Sequence, residues 1–282
     1  MYEADLHIHT SVSDCSMDAE EILELASMRG LTHIAFTDHD TTQHSREHVD
    51  LAKCYGITAI SGVEMSAYDF ANEKKVHILG YGYQSHAHIE AIGKETLKRR
   101  DENCRRQIEI LKDLGYQIEI SEIEKLGGSC IYKQHILDYL VKTGQSETIF
   151  GTVYRTIFKN GGPCDFDIIY PAAEDAVRAI KADGGYAVLA HPGQQDNYAA
   201  LPGLADAGLA GIEWNHPSNG QQDRNRIEEL CKKYHLFMTG GSDFHGRYEN
   251  TKTELGQYQA HESSSVIFQN LWEKRPMCVK NT

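Results

Sequence analysis

Seven short β-prone runs recur along this 282-residue chain, most followed by a helical pattern, and that alternation limits the fold more than any other feature. The runs are Glu3 to His9, His33 to Thr37, Thr58 to Val63, Val76 to Gly82, Tyr186 to Ala190, Gly211 to Trp214 and Leu236 to Gly240. Helical patterns cover Asp18 to Arg29, Ser45 to Tyr55, Glu174 to Ala182, Leu201 to Ala207, Arg224 to Tyr234 and Ser263 to Trp272. Such alternation favours an α/β fold of parallel strands with crossover helices, and seven units predict a barrel, although an open sheet satisfies the same rhythm. The rhythm breaks between about Tyr83 and Pro171, where helical patterns (Lys94 to Leu114, Ile131 to Thr143) run without a convincing strand. This predicts a barrel built from residues 1–82 and 172–282, with a helical subdomain, 83–171, inserted and packed upon it.

Composition narrows the class. The formal charge of −13 argues against a sequence-independent grip on long nucleic acid, which needs a basic face. No 18-residue apolar run and no basic-then-apolar opening are present, so neither a membrane span nor a signal peptide is expected, and the cytoplasm is the expected compartment. Seven cysteines (Cys15, Cys54, Cys104, Cys130, Cys164, Cys231, Cys278) form no Cys-x-x-Cys pair and read as reduced thiols. Fifteen histidines are many for this length, and their positions carry the chemistry.

Alternation along the first run places Asp5, His7 and His9 on one side and Ala4, Leu6 and Ile8 on the other, so two imidazoles point into one space. The i, i+2 spacing suits chelation of one ion. Comparable groups recur at other strands: Thr37-Asp38-His39-Asp40, Gly62-Val63-Glu64, His77, Ala190-His191-Pro192 and Ser242-Asp243-Phe244-His245, with Asp14 in the loop after the first strand. In a parallel barrel those strand ends meet at one face. His33, His44, His48, His86, His88, His216, His235 and His261 have no spacing that demands a ligand, and Glu213-Trp214-Asn215-His216 ends the sixth strand where substrate or ligand-orienting contacts are open to it.

The ordered motifs Asp5-Leu6-His7-Ile8-His9-Thr10, Ser13-Asp14, Thr37-Asp38-His39, Gly62-Val63-Glu64, His77-Ile78-Leu79-Gly80-Tyr81, Ala190-His191-Pro192 and Gly241-Ser242-Asp243-Phe244-His245 resemble the PHP (polymerase and histidinol phosphatase) family, in particular its small stand-alone phosphoesterases. The resemblance implies a distorted seven-stranded, TIM-like (β/α)7 barrel with a trinuclear metal centre. His7, His9, Glu64 and Asp243 would hold one ion, Glu64, His77 and His191 a second, and Asp14, His39 and His245 a third, with Glu64 bridging the first two. All nine donors are nitrogen or oxygen, which suits Mn, Fe or Zn. Asp5 and Asp38 are placed to orient imidazole N–H groups.

Charge counting favours a phosphate substrate independently: three carboxylates against three divalent ions leave a surplus of about +3, suited to a hydroxide and a phosphate dianion. The metals would activate a water as nucleophile, with Glu64 and Asp243 as catalytic candidates beside it. The small PHP phosphoesterases commonly carry an insertion-helix Arg in a pattern similar to Arg106-Gln107-Ile108, and a later Arg-Pro-His that here reads Lys133-Gln134-His135. Arg106, Lys133 and His135 are therefore the expected substrate contacts in a capping insertion, with His135 also able to protonate a leaving group. The expected activity is hydrolysis of a small phosphomonoester, first a nucleotide or nucleoside bisphosphate. Histidinol phosphate, another metabolite, the end of a short RNA and a non-catalytic metal-binding module stay open. The oligomeric state is not readable.

Overall fold

The computed structural model describes residues 2–248 and 253–273, so Cys278 lies outside the described residues. In chain order the elements are β1 (Ala4–Ile8), α1 (Ala19–Met28), β2 (His33–Phe36), α2 (Ser45–Ala52), β3 (Thr58–Asp69), β4 (Lys74–Tyr81), α3 (Ala87–Asp113), α4 (Ile120–Glu124), α5 (Lys133–Lys142), α6 (Ala173–Ala182), β5 (Tyr186–Leu189), α7 (Pro192–Gln195), α8 (Leu201–Ala207), β6 (Gly211–Asn215), α9 (Gln221–Tyr234), β7 (Phe237–Gly240) and α10 (Val266–Glu273). The seven strands lie side by side in sequence order. Ile8 pairs with Phe244 across the seam, and His9 N–H donates to the Phe244 carbonyl at 3.0 Å, so the sheet curls into a nearly closed barrel.

One strand departs from the parallel rhythm. β3 and β4 form an antiparallel hairpin, and β4 is also antiparallel to β5, whereas β1 to β3 and β5 to β7 are parallel. The cause is local: after Asp69 the chain turns back at once, with the Asp69 carboxylate accepting from the backbone of Ala71 and Asn72 at 3.0 and 3.2 Å. β3 therefore runs on past Glu64, and His77 reaches the site from a reversed strand.

The bulge in β1 corrects the simple alternation expected for that strand. Asp5 pairs with Ile34 but Ile8 with Phe36, so an extra residue sits in β1 between them. Leu6 consequently packs in the interior cluster with Ala35, Ile60, Leu79 and Val188, while Ile8, two residues on, packs outside against Ile22 and Leu23 of α1. Outer helices close the rest: α6, α8 and α9 cover β3 to β6 through Val177, Ile180, Leu204 and Ile227, and Ile267 and Phe268 of α10 cap the interior cluster. α1 starts where Asp18 and Glu21 form a reciprocal capping box at 2.9 Å each way.

Between Tyr83 and Pro171 the chain is helical, with no strand, and it has an apolar cluster of its own that includes Ile108, Leu111, Ile136, Leu140 and Phe158. α3 lies directly on the loop after β2, since a Cβ on Gly93 would fall 2.1 Å from the Asp40 carbonyl oxygen. Tyr248, from the loop beyond β7, joins the helical cluster. No described helix is long and apolar enough to cross a membrane.

Candidate metal centre

All nine residues expected as ligands converge. Glu64 lies at the middle and is 1% exposed, with one face of its carboxylate turned to each half of the cluster. Its Oε1 is 2.8 Å from His77 Nδ1 and 2.9 Å from His191 Nε2, while its Oε2 is 3.1 Å from His39 Nδ1, 3.2 Å from His9 Nε2 and 3.4 Å from His7 Nε2. Asp243 Oδ1 stands 3.2 Å from both His7 Nε2 and His9 Nε2. Asp14 faces His245 at 3.4 Å and His39 at 3.9 Å. Two sets of four donors, His7, His9, Glu64, Asp243 and His9, Asp14, His39, His245, each lie within 4.8 Å of one another.

Buried polar atoms almost always find partners, yet His7 Nε2, His9 Nε2, His39 Nδ1, Asp14 Oδ1 and Asp243 Oδ1 have none and face the same space. Donor sets of imidazole and carboxylate left open in this way fit divalent cations. The backbone is strained at the same place: His191 and Asp243 have φ of 25° and 52°, and Asp40 has φ of 57°. Gly241 makes this approach possible, because a Cβ there would lie 2.3 Å from the Cβ of His7.

Protons are distributed unevenly among these donors. Burial resists charge on Glu64, but His39, His77 and His7 outweigh it and hold its carboxyl well below the ordinary range. Burial likewise opposes the imidazolium of His245, and Asp14 and Asp243 overcome it, pushing His245 up to about 10. His39 goes the other way, down to about 3, because burial exceeds what Glu64 and Asp14 return.

The groups placed to orient these donors differ from those expected. Asp5 accepts from the backbone of Ser242 and Gly256 and from the Ser242 hydroxyl, and Asp38 accepts from Thr10 and the Ser13 hydroxyl; neither touches an imidazole. They brace the loops that carry Asp14 and Asp243. The orienting carboxylate is Glu213, fully buried: its Oε1 lies 2.9 Å from His7 Nδ1 and its Oε2 accepts from His191 N–H at 2.7 Å. Since a carboxylate there requires a proton on Nδ1, His7 Nε2 is left free to ligate. His216 belongs to the centre too, with Nε2 3.3 Å from Asp243 Oδ2. The strand-end sequence Glu213-Trp214-Asn215-His216 was the available signal.

The expected substrate contacts divide. Lys133 lines a cleft of about 480 Å³ over Asp14, His39 and His77. Arg106 does not line it; it is exposed and its guanidinium stacks 4.5 Å from the Phe166 ring centre. Six residues along a helix turn a side chain about 240° away, and the cation of α3 that reaches the cleft is Arg100, with Asn103 and Cys104 on the same face. Arg100 donates to Asp40 Oδ2 at 2.8 Å and Ser66 Oγ at 2.9 Å. His135 is fully buried, its Nδ1 accepting the Tyr132 N–H at 3.1 Å, and burial takes its pKa down to about 4. Its neighbour Gln134 is the one that reaches the centre, donating to Asp14 Oδ2 at 2.7 Å.

A family model for the PHP domain matches residues 5–187. The chain belongs to the PHP family. A phosphoribosyl 1,2-cyclic phosphate 1,2-diphosphodiesterase from Eggerthella lenta is 44% identical to it over 247 residues, covering 86% of this chain and 94% of that one. A 3′,5′-nucleoside bisphosphate phosphatase from Chromobacterium violaceum is 28% identical, with 87% and 88% covered. A crystal structure from Bifidobacterium adolescentis, assigned as a metal-dependent phosphoesterase, superposes with a TM-score of 0.86 at 27% identity over 94% of this chain and 95% of that one. This PHP chain is accordingly a metal-dependent phosphoesterase.

Proposed function

We propose that this PHP phosphoesterase holds three divalent ions and hydrolyses a small ribosyl phosphoester, with a phosphoribosyl 1,2-cyclic phosphate as first candidate. The observation that carries the reading is the Glu64 carboxylate, two oxygens facing two halves of a nine-donor set in which buried atoms of His7, His9, His39, Asp14 and Asp243 lack partners. His7, His9, Glu64 and Asp243 would hold one ion, Glu64, His77 and His191 another, and Asp14, His39 and His245 the third. Mn, Fe or Zn ions bound there would acidify a water for attack and neutralise charge on the phosphoryl oxygens. The protein's own contribution is positioning. Glu213 keeps His7 in one tautomer, Gln134 holds Asp14, and the His245 Nδ1 contact of 2.8 Å with the Asp243 carbonyl turns its Nε2 inward. The helical segment 83–171 would act as the capping subdomain that shapes the cleft.

Identity of 44% with a cyclic-phosphate diesterase, against 28% with a bisphosphate phosphatase, moves the first candidate away from the nucleoside bisphosphate expected from sequence. A nucleoside bisphosphate stays second because Phe150 and Tyr154, 5.1 Å apart, stand in the cleft where a base would stack. The test is to measure kcat/KM of Mn-loaded protein on both compounds, following ring opening and phosphate release. A preference for the cyclic ester supports the proposal. Turnover of the bisphosphate alone transfers it to the second reading, and turnover of neither overturns it.

A further inference from the structure

The groove over the centre has two lobes of unlike charge. One, of about 480 Å³, is lined by Lys75, Arg100, Lys133 and Lys159 with Asp14 and Asp167; the other, of about 420 Å³ beside His216, Asp243 and His245, has no lysine or arginine in its lining among the described residues. Gln134, Phe150, Tyr154 and Gln194 line both and form the waist between them. Arg100 is committed to Asp40, and Lys75 is ion-paired with Asp167. Lys133, half-buried, and Lys159, exposed, have no ion-pair partner among the described residues. Three ammonium charges less the Asp167 carboxylate leave about +2, the complement of one phosphate dianion. Burial, then the neighbouring charge of Lys159, depresses Lys133 below the ordinary ammonium value, as expected of cations gathered without enough counter-charge.

We propose that the cationic lobe seats a second phosphate of the substrate, remote from the ester hydrolysed, on Lys133, Lys159 and Lys75. The inference rests on the phosphoesterase reading above and deepens it, since it makes the remote phosphate a condition of efficient turnover. Phosphate clamping by three flexible ammonium groups also tolerates small differences in the sugar, where a rigid guanidinium fork would not. Asp167 then competes with the ligand for Lys75, which gives the proposal a sign that can be reversed.

The experiment compares matched substrates that differ only in that group: 5-phosphoribosyl 1,2-cyclic phosphate with ribose 1,2-cyclic phosphate, and adenosine 3′,5′-bisphosphate with adenosine 3′-phosphate. Wild-type enzyme should prefer the doubly phosphorylated member of whichever pair it turns over. Lys133→Met and Lys159→Met should each lower kcat/KM for that member by about 10- to 150-fold and shrink its advantage over the other member. Asp167→Asn should enlarge the advantage, an outcome that general damage to the fold would not give. Equal turnover of both members, or an advantage untouched by either lysine variant, overturns the second-phosphate site while leaving the phosphoesterase reading intact. Absence of turnover on all four compounds by metal-loaded enzyme overturns both.

Discussion

Glu64 and Glu213 are both buried carboxylates among histidines, yet the chain asks different things of them. Glu64 contacts five imidazoles and would be shared by two ions, so Glu64→Ala should abolish turnover and lose metal, while His245→Ala, serving one ion, should retain partial activity. Parallel kinetics and elemental analysis of the two variants check this; near wild-type turnover in Glu64→Ala would refute the bridge. Glu213 acts through His7 and His191, so Glu213→Gln should lower metal affinity or turnover by about 10- to 100-fold without removing a donor. Chelator titration reads the affinity, and an unchanged value would show that Glu213 does not orient the ligands. At this scale the convergence of the nine proposed ligands was legible because metal chemistry accepts few residue types and strand spacing puts them together. Glu213 was less so, because a buried glutamate on a strand looks alike in sequence whether it faces an ion or an imidazole. Arg100 and Arg106 could not be ranked either, since the phase of α3 against the cleft is set by packing such as Gly93 on the Asp40 loop.

At the scale of elements, the hairpin of β3 with β4 and the bulge in β1 are what bring a strand-borne histidine and a His-x-His pair to one point. Neither carries a strong sequence signature: the turn after Asp69 has no Asn-Gly or Asp-Gly pair, and a bulge is one extra residue in a run that still alternates. The existence of seven strands was legible from periodicity, and their direction was not, because direction depends on the connection rather than on the strand. A second device links α5 to the loop after His245. Asp138 accepts from Arg247 Nε and Nη2 at 3.1 and 3.0 Å, from Tyr248 Oη at 3.0 Å and from Lys142 Nζ at 2.8 Å. Asp138→Asn should cost about 1.5–3 kcal/mol near neutral pH, measured by urea unfolding. Burial would raise the Asp138 carboxyl, but Arg247 and Lys142 outweigh it and leave the folded value lowered. The stabilisation is therefore present above the ordinary aspartate pKa and declines as pH falls through the lowered one, so wild type and variant should converge in acid. A stability difference that does not shrink on acidification would contradict the ionised latch.

For the whole molecule, buried atoms of His7, His9, His39, Asp14 and Asp243 left without hydrogen-bond partners would make metal part of the folded state rather than an addition to it. Ions that bind the folded chain and not the unfolded one stabilise it by mass action, so chelation should lower Tm and returning Mn should restore it. A melting curve indifferent to chelator would argue that the polar cluster is satisfied without ions. The cleft, the insertion and the centre all follow from one arrangement, in which a nearly closed barrel gathers its strand ends and a helical segment lies over them. On the proposed function, three ions sit there and are needed for turnover. The most direct test is elemental analysis of protein purified without chelator and replenished with Mn, read against activity on the same samples. Close to three ions per chain, with activity lost as they are removed, is the predicted result. A single ion per chain accompanied by full activity would contradict it.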